Sequence, residues 1–186
     1  MFVVGMFLAL NAVGSAQGSG DWTELQKELE AALKQRQWAE AAHLGRRIEM
    51  LAGIRAPLEL VDVAILNAPA EGLGLYSPAF KGEVRGDELY LYAQVRNHGV
   101  REVHGFFELH LVSDIVILDG KGKEIARDEG FGESRFSSRV PHRDTFVMIA
   151  LRVKGLSAGN YRIRLKLHDK VGKKESQRDV PFMIRG

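Results

Sequence analysis

The chain has 186 residues, 45% of them apolar and 27% charged, with 26 Lys plus Arg against 24 Asp plus Glu and no cysteine. That length and apolar fraction suit one folded domain with a small appendage and exclude disorder as the main state. A net charge of +2 is too small to imply nucleic-acid binding by itself, and zero Cys excludes disulfide staples, thiolate zinc sites, iron–sulfur clusters, Cys nucleophiles and a lipid-anchoring Cys.

Met1 to Ala16 carry no charged side chain. The apolar run Phe2 to Val13 is about twelve residues, short of the ~20 that a membrane-spanning helix needs. It fits the apolar middle of a secretory signal peptide, with Gly14-Ser15-Ala16 supplying the small residues at the cleavage point. The expectation is a signal peptide over 1–16, a flexible linker over 17–20, and a periplasmic or secreted protein with no transmembrane segment in the mature chain.

Asp21 is a suitable N-cap, and Glu24 follows three residues later as in a capping box. Trp22, Leu25, Leu29 and Leu33 then recur at helical spacing, and a second series runs through Trp38, Ala41, Ala42, Gly45, Ile48, Leu51 and Ala52. Lys34-Gln35-Arg36-Gln37 carries the turn between them. Gly53 is read as the stop, and Pro57 blocks continuation. The pattern predicts an α-helical hairpin over 21–53. The stretch LEAALKQRQWAEAAHLGRRIEMLAG resembles a single tetratricopeptide-type repeat, with Ala32 and Ala42 allowing close approach. One such repeat does not bury its own apolar face, so the resemblance implies a packing partner: the following domain, or a second copy in a homodimer.

From Pro57 the period changes to two. Tyr161, Ile163, Leu165 and Leu167 alternate with Arg162, Arg164, Lys166 and His168. Leu89, Leu91, Ala93 and Val95 lie opposite Tyr90, Tyr92, Gln94 and Arg96, and Val147, Ile149, Leu151 and Val153 mark a third inner face. Further strands are predicted over 58–66, 105–118 (bending near Ser113-Asp114), 123–126 and 179–184. Turn signals separate them: Arg85-Gly86-Asp87, Asn97-His98-Gly99, Asp119-Gly120-Lys121-Gly122, Ala158-Gly159-Asn160 and Lys170-Val171-Gly172. The expected fold is mainly β: an antiparallel sandwich of seven to eight strands over 57–186, preceded by the hairpin. Leu156-Ser157-Ala158-Gly159-Asn160-Tyr161 and the strand after it resemble the entry to a late strand in fibronectin type III and bacterial immunoglobulin-like domains. The resemblance implies an immunoglobulin-like sandwich in which the Tyr161 hydroxyl closes a corner; it implies no activity.

No spacing diagnostic of catalysis, metal binding or phosphate cradling is present, so neither a catalytic residue, a metal site nor a cofactor is expected. His43, His98, His104, His110, His142 and His168 read as scattered surface histidines, and Asp119 to Glu124 as an Asp-Gly hairpin, since lysines occupy positions where calcium would need oxygens. Charge is the most informative pattern. Glu102 to Glu133 hold eight acidic residues against three basic, and Arg143 to Lys174 hold nine basic against two acidic. Arg162, Arg164 and Lys166 share one strand face, which either pairs with the acidic segment or contacts an anionic partner. Tyr90 and Tyr92 either stack on sugar rings or form the floor beneath Trp22 or Trp38. The expected function is an exported, non-enzymatic interaction module that binds a protein or an anionic polysaccharide of the cell envelope through that basic face, with nucleic acid excluded. The alternative is a carbohydrate-binding or carbohydrate-active envelope protein using Tyr90 and Tyr92 or the acidic edge.

Overall fold

The computed structural model describes residues 19–84 and 86–185; the signal peptide expected over 1–16 lies outside them. The chain divides into two compact units, Met1–Glu49 and Met50–Gly186. It is mainly β, with two helices at the N-terminal side.

Helix α1 spans Ser19–Lys34 and helix α2 spans Trp38–Arg55. Ser19 and Gly20, read as linker, are helical, so Asp21 is one turn in and not the cap. The Gln37 N–H bonds the Ala32 carbonyl at 2.9 Å and the Arg36 N–H bonds the Leu33 carbonyl at 3.1 Å. This closes α1 in a Schellman-type turn, with Arg36 at φ 55° where glycine is usual. Leu25, Ala32, Ala41 and Leu44 are buried, whereas Ala42 is exposed and Trp38 is 64% exposed. The inner side of the second helix therefore keeps Ala41, Gly45, Ile48 and Leu51 of the expected series, adds Leu44, and leaves out Trp38, Ala42 and Ala52. That helix also runs past Gly53 and stops only where Pro57 forbids continuation.

Nine strands follow among the described residues: β1 Glu59–Leu66, β2 Glu83–Val84, β3 Glu88–Arg96, β4 Arg101–Val103, β5 Phe106–Asp119, β6 Glu124–Ser138, β7 Asp144–Arg152, β8 Gly159–Asp169 and β9 Lys174–Ile184. They form a three-stranded sheet β1-β3-β7 and a six-stranded sheet in which β2-β9-β8-β5 run in sequence and β4 and β6 both pair with β5. Every pair is antiparallel except β2 with β9, which is parallel. The expected count of seven to eight strands, all antiparallel, is corrected to nine in a mixed arrangement. The surplus strands are β2 and β4, two and three residues long, which carry too few residues to show a period. The β4–β5 hairpin turns on His104-Gly105, both at positive φ, a pair outside the usual Asn-Gly and Asp-Gly signatures. Strand β6 was read only over 123–126, because its fifteen residues are exposed on both faces almost throughout and so show no alternation.

Both sheets line one core, but they are curled like a half-barrel and mixed, which corrects the expected plain antiparallel sandwich. Leu89, Leu91, Ala93 and Val95 of β3 and Val147, Ile149 and Leu151 of β7 face it from one side. Leu109, Leu111 and Ile115 of β5, Ile163, Leu165 and Leu167 of β8, and Val180 and Phe182 of β9 face it from the other. Leu60 and Ile65 of β1 both belong to this core although five positions separate them. A bulge at Asp62, at φ 47°, shifts the phase of the strand between them. The bend expected near Ser113-Asp114 is the bulge between Ser113 and Ile115 in β5, opposite Gly130, whose N–H donates to Asp114 Oδ1 at 2.8 Å.

Candidate functional site

The side of the six-stranded sheet that faces away from the core presents Arg162, Arg164, Lys166 and His168 of β8. Register sets them beside β5 and β9: Arg164 opposite Asp179, Lys166 opposite Asp114, His168 opposite Glu175. Arg164 makes a two-pronged pair with Asp179, Nε to Oδ1 at 2.7 Å and Nη2 to Oδ2 at 2.9 Å. Lys166 Nζ lies 2.8 Å from Glu175 Oε2. The His168 ring bridges two carboxylates, Nε2 to Asp114 Oδ2 at 2.6 Å and Nδ1 to Glu175 Oε1 at 2.8 Å. The electrostatics follow. Arg164 holds the Asp179 carboxyl below its ordinary value, and Lys166 and His168 do the same to Glu175. Burial pushes Asp114 up, but the Gly130 N–H and His168 outweigh it and leave it lowered.

This ladder corrects the expected basic face: Arg164 and Lys166 are neutralised by their neighbours, and only Arg162 lacks an ion pair among the described residues. The glycan alternative is corrected too. Tyr92 is 0% exposed. Its ring packs on Tyr76 at 4.4 Å and Phe146 at 5.5 Å between centroids, and its hydroxyl accepts the Gly74 N–H at 2.9 Å. The segment between β1 and β2 therefore covers it, which also corrects its reading as a floor for the tryptophans. Tyr90 donates to Glu88 Oε2 at 2.6 Å.

Uncompensated positive charge collects instead at the end of the sheet where β5 begins. Arg101 of β4, Glu108 and His110 of β5, Arg135 of β6, and Lys170, Val171 and Lys173 of the β8–β9 turn line a cleft of about 200 Å³. Arg101 pairs with Glu108 at 2.8 Å, and His110 Nε2 lies 2.8 Å from Glu133 Oε1 but off the axis of a hydrogen bond. Arg135, Lys170 and Lys173 make no ion pair among the described residues. Phe106, on the same outward side as Arg101, is 39% exposed, with the Arg139 guanidinium 5.0 Å from its ring centre. Four cations thus line the cleft with Glu108, and Phe106 lies outside it with one cation, Arg139, at its ring.

The β8–β9 turn is rigidly held. Asp169, 2% exposed, accepts N–H groups from Gly99 at 2.6 Å, Val171 at 3.0 Å and Gly172 at 2.8 Å. Gly99 and Gly172 pass so closely that a Cβ on either would overlap the other's backbone or the Asp169 carboxylate. Lys174 donates to the Gly53, Ala56 and Asn97 carbonyls at 3.0, 2.8 and 2.8 Å, tying the end of α2 to the turn. Burial lowers the Lys174 pKa, with Asp169 opposing. His98 is 5% exposed, which corrects its reading as a surface histidine; burial lowers its pKa and its Nε2 has no hydrogen-bond partner. None of the cleft cations was singled out from sequence. They come from four segments, and two stand on a turn whose sequence signal was only Lys-Val-Gly.

No family model and no curated protein matches the chain. Among solved structures it is similar to the alkylpurine DNA glycosylase AlkC of Pseudomonas fluorescens, bound to DNA containing an abasic-site analogue. The identity is 9% and the TM-score 0.40, over 92% of this chain and 50% of that one. The chain therefore spans about half the length of the structure it matches, and a likeness of that size assigns no activity. The ion pairs of Arg164 and Lys166 withdraw the expected envelope-binding basic face, and the exclusion of nucleic acid that went with it is withdrawn too.

Proposed function

We propose that this chain is a non-catalytic module that binds single-stranded nucleic acid at the β5 end of its larger sheet. The observation that carries the reading is the cleft lined by Arg135, Lys170 and Lys173, which make no ion pair among the described residues, with the exposed Phe106 ring four residues from His110 along the same side of β5. Guanidinium and ammonium groups take up phosphate charge, and an open aromatic face stacks on a base of any identity. A flat duplex edge offers no unstacked base to Phe106, so single strands are favoured. Arg139 above the same ring adds a cation to the platform.

The scaffold of the module is read as an immunoglobulin-like sandwich. Support comes from the strand order, β1-β3-β7 against β2-β9-β8-β5-β6, and from the Tyr161 hydroxyl, which donates to the Ser157 carbonyl at 2.8 Å at the entry to β8. In that scaffold the sheets hold the loops and strand ends, and binding groups sit on them.

The test is fluorescence anisotropy with a labelled fifteen-nucleotide oligothymidylate between 50 and 200 mM salt. Affinity is expected to fall with salt, and Arg135→Ala with Lys173→Ala to reduce the log–log slope by about 1.4, at ~0.7 per phosphate contact. Phe106→Ala is expected to weaken binding by about 5- to 150-fold, the ~1–3 kcal/mol of one stacked base. Equal affinity for heparin would replace nucleic acid with polyanions in general. Capture only of an acidic protein, or binding indifferent to all three substitutions, would overturn the reading.

A further inference from the structure

Arg162 is the member of the outward basic row that the charge ladder leaves over, and its exposed side chain borders a hollow. It lines a second concavity of about 260 Å³ with Lys81, Gly120, Asn160, Tyr161, Pro181, Phe182 and Met183. This lies at the opposite end of the sheet from the Arg135 cleft, since Arg162 pairs with Leu118 near the finish of β5. Three local features build it. Gly122, at φ 85° in the β5–β6 turn, leaves room for the guanidinium: a Cβ there would stand 2.9 Å from Arg162 Nη2. Gly82 presses against β9 so closely that a Cβ would meet the Pro181 carbonyl at 2.9 Å. That approach seats Lys81 on the rim in a left-handed conformation, φ 52° and ψ 26°, which is unfavourable for a non-glycine residue. The Pro181 and Met183 side chains, on the same outward side as Arg162, make the apolar wall, while the Tyr161 ring packs inward on the buried Phe182 at 5.3 Å.

We infer that this concavity is a ligand site for a phosphate monoester bearing an aromatic or aliphatic group. Neither Lys81 nor Arg162 has an ion pair among the described residues, and the Lys81 ammonium lies 5.2 Å from the Phe80 ring centre. Two cations match the charge of about −1.5 to −2 that a monoester carries at neutral pH. The guanidinium fork suits two phosphate oxygens at once, the ammonium supplies a point charge, and the apolar wall takes the organic group. Strain at Lys81 in a turn fixed by Gly82 is the kind of local cost that a binding site retains. The inference stands apart from the nucleic-acid reading, as it shares no residue with the Arg135 cleft or with Phe106.

The probe is phenyl phosphate, titrated into the full-length chain and followed by amide and Arg side-chain N–H NMR signals. Saturable shifts are expected at Gly120, Asn160, Arg162 and Met183, with those at Arg135, Lys170 and Lys173 unmoved. Arg162→Gln and Lys81→Gln are each expected to weaken binding at least tenfold, with unchanged thermal midpoints because both side chains are exposed. Inorganic phosphate and benzoate are expected to bind at least tenfold more weakly, since each lacks half of the recognised group. Equal binding of either, shifts confined to the Phe106 end, or no saturation in the folded protein would each overturn the proposal. A loss of oligothymidylate binding alone would leave it standing.

Discussion

Single residues carry much of the architecture around the binding end. Asp169 is the clearest case, a buried carboxylate that satisfies three backbone N–H groups from two loops. Asp169→Asn keeps the shape but sets an amide NH₂ against one of those donors. It is expected to lower stability by about 1.5–3 kcal/mol, the range for a hydrogen bond to a charged group, read as a lower urea midpoint at unchanged m-value. Gly99→Ala is expected to be at least as damaging, because its Cβ would enter the Gly172 backbone. Tyr161→Phe removes the bond to Ser157 yet keeps the stack on Phe182. Its expected cost is smaller, about 0.5–1.5 kcal/mol. A Tyr161→Phe loss larger than that of Asp169→Asn would show that the corner, and not the β8–β9 turn, governs this unit.

At the scale of elements, the outward side of β5, β8 and β9 is a ladder of opposite charges. Asp114, Glu175 and Asp179 have lowered pKa values in the folded chain. A depressed carboxylate contributes stability that is present above its unfolded value, about 3.9 for Asp and 4.3 for Glu, and lost as pH falls through the folded value. The urea midpoint is therefore expected to decline below about pH 6.5, where buried His98 resists protonation, and to drop further below about pH 4 as the carboxylates protonate. Asp179→Asn should shrink that drop. A midpoint that rose on acidification would contradict the assigned pairs. The ladder was foreseeable in part, since the opposite-signed segments and the alternating Arg162 to His168 row are plain in the sequence. Which carboxylate meets which cation was not, because register depends on the bulge between Ser113 and Ile115 and on the length of β6.

Considered as a whole molecule, the chain has its main β core between Leu58 and Phe182. A chain beginning at Met50 retains that core and the carbonyls that Lys174 holds. It is expected to unfold in one cooperative transition within about 5 °C of the full-length protein, by circular dichroism, the shift that about 1 kcal/mol produces in a domain of this size. A broad, non-cooperative melt would show that the helices complete the core.

The alternation of Tyr161 to His168 and of Leu89 to Val95 determined, without any coordinates, that this region is β and which side of each strand meets the core. The helical period of Trp22 to Leu33 determined the first helix in the same way. Periodicity records burial, so it speaks only where one side of an element is dry and the other wet. Strand β6, wet on both sides, and β2 and β4, too short to repeat, were therefore silent. The candidate binding end was silent for a different reason. Arg101, Arg135, Lys170 and Lys173 are scattered along the sequence, and only sheet order and the Asp169-bound turn bring them together. Net charge along a segment does not reveal which cations a fold neutralises. Arg164 and Lys166 looked available and are paired, whereas Arg135 and Lys173 were unremarked and remain unpaired, because the assignment of partners is made by cross-strand geometry.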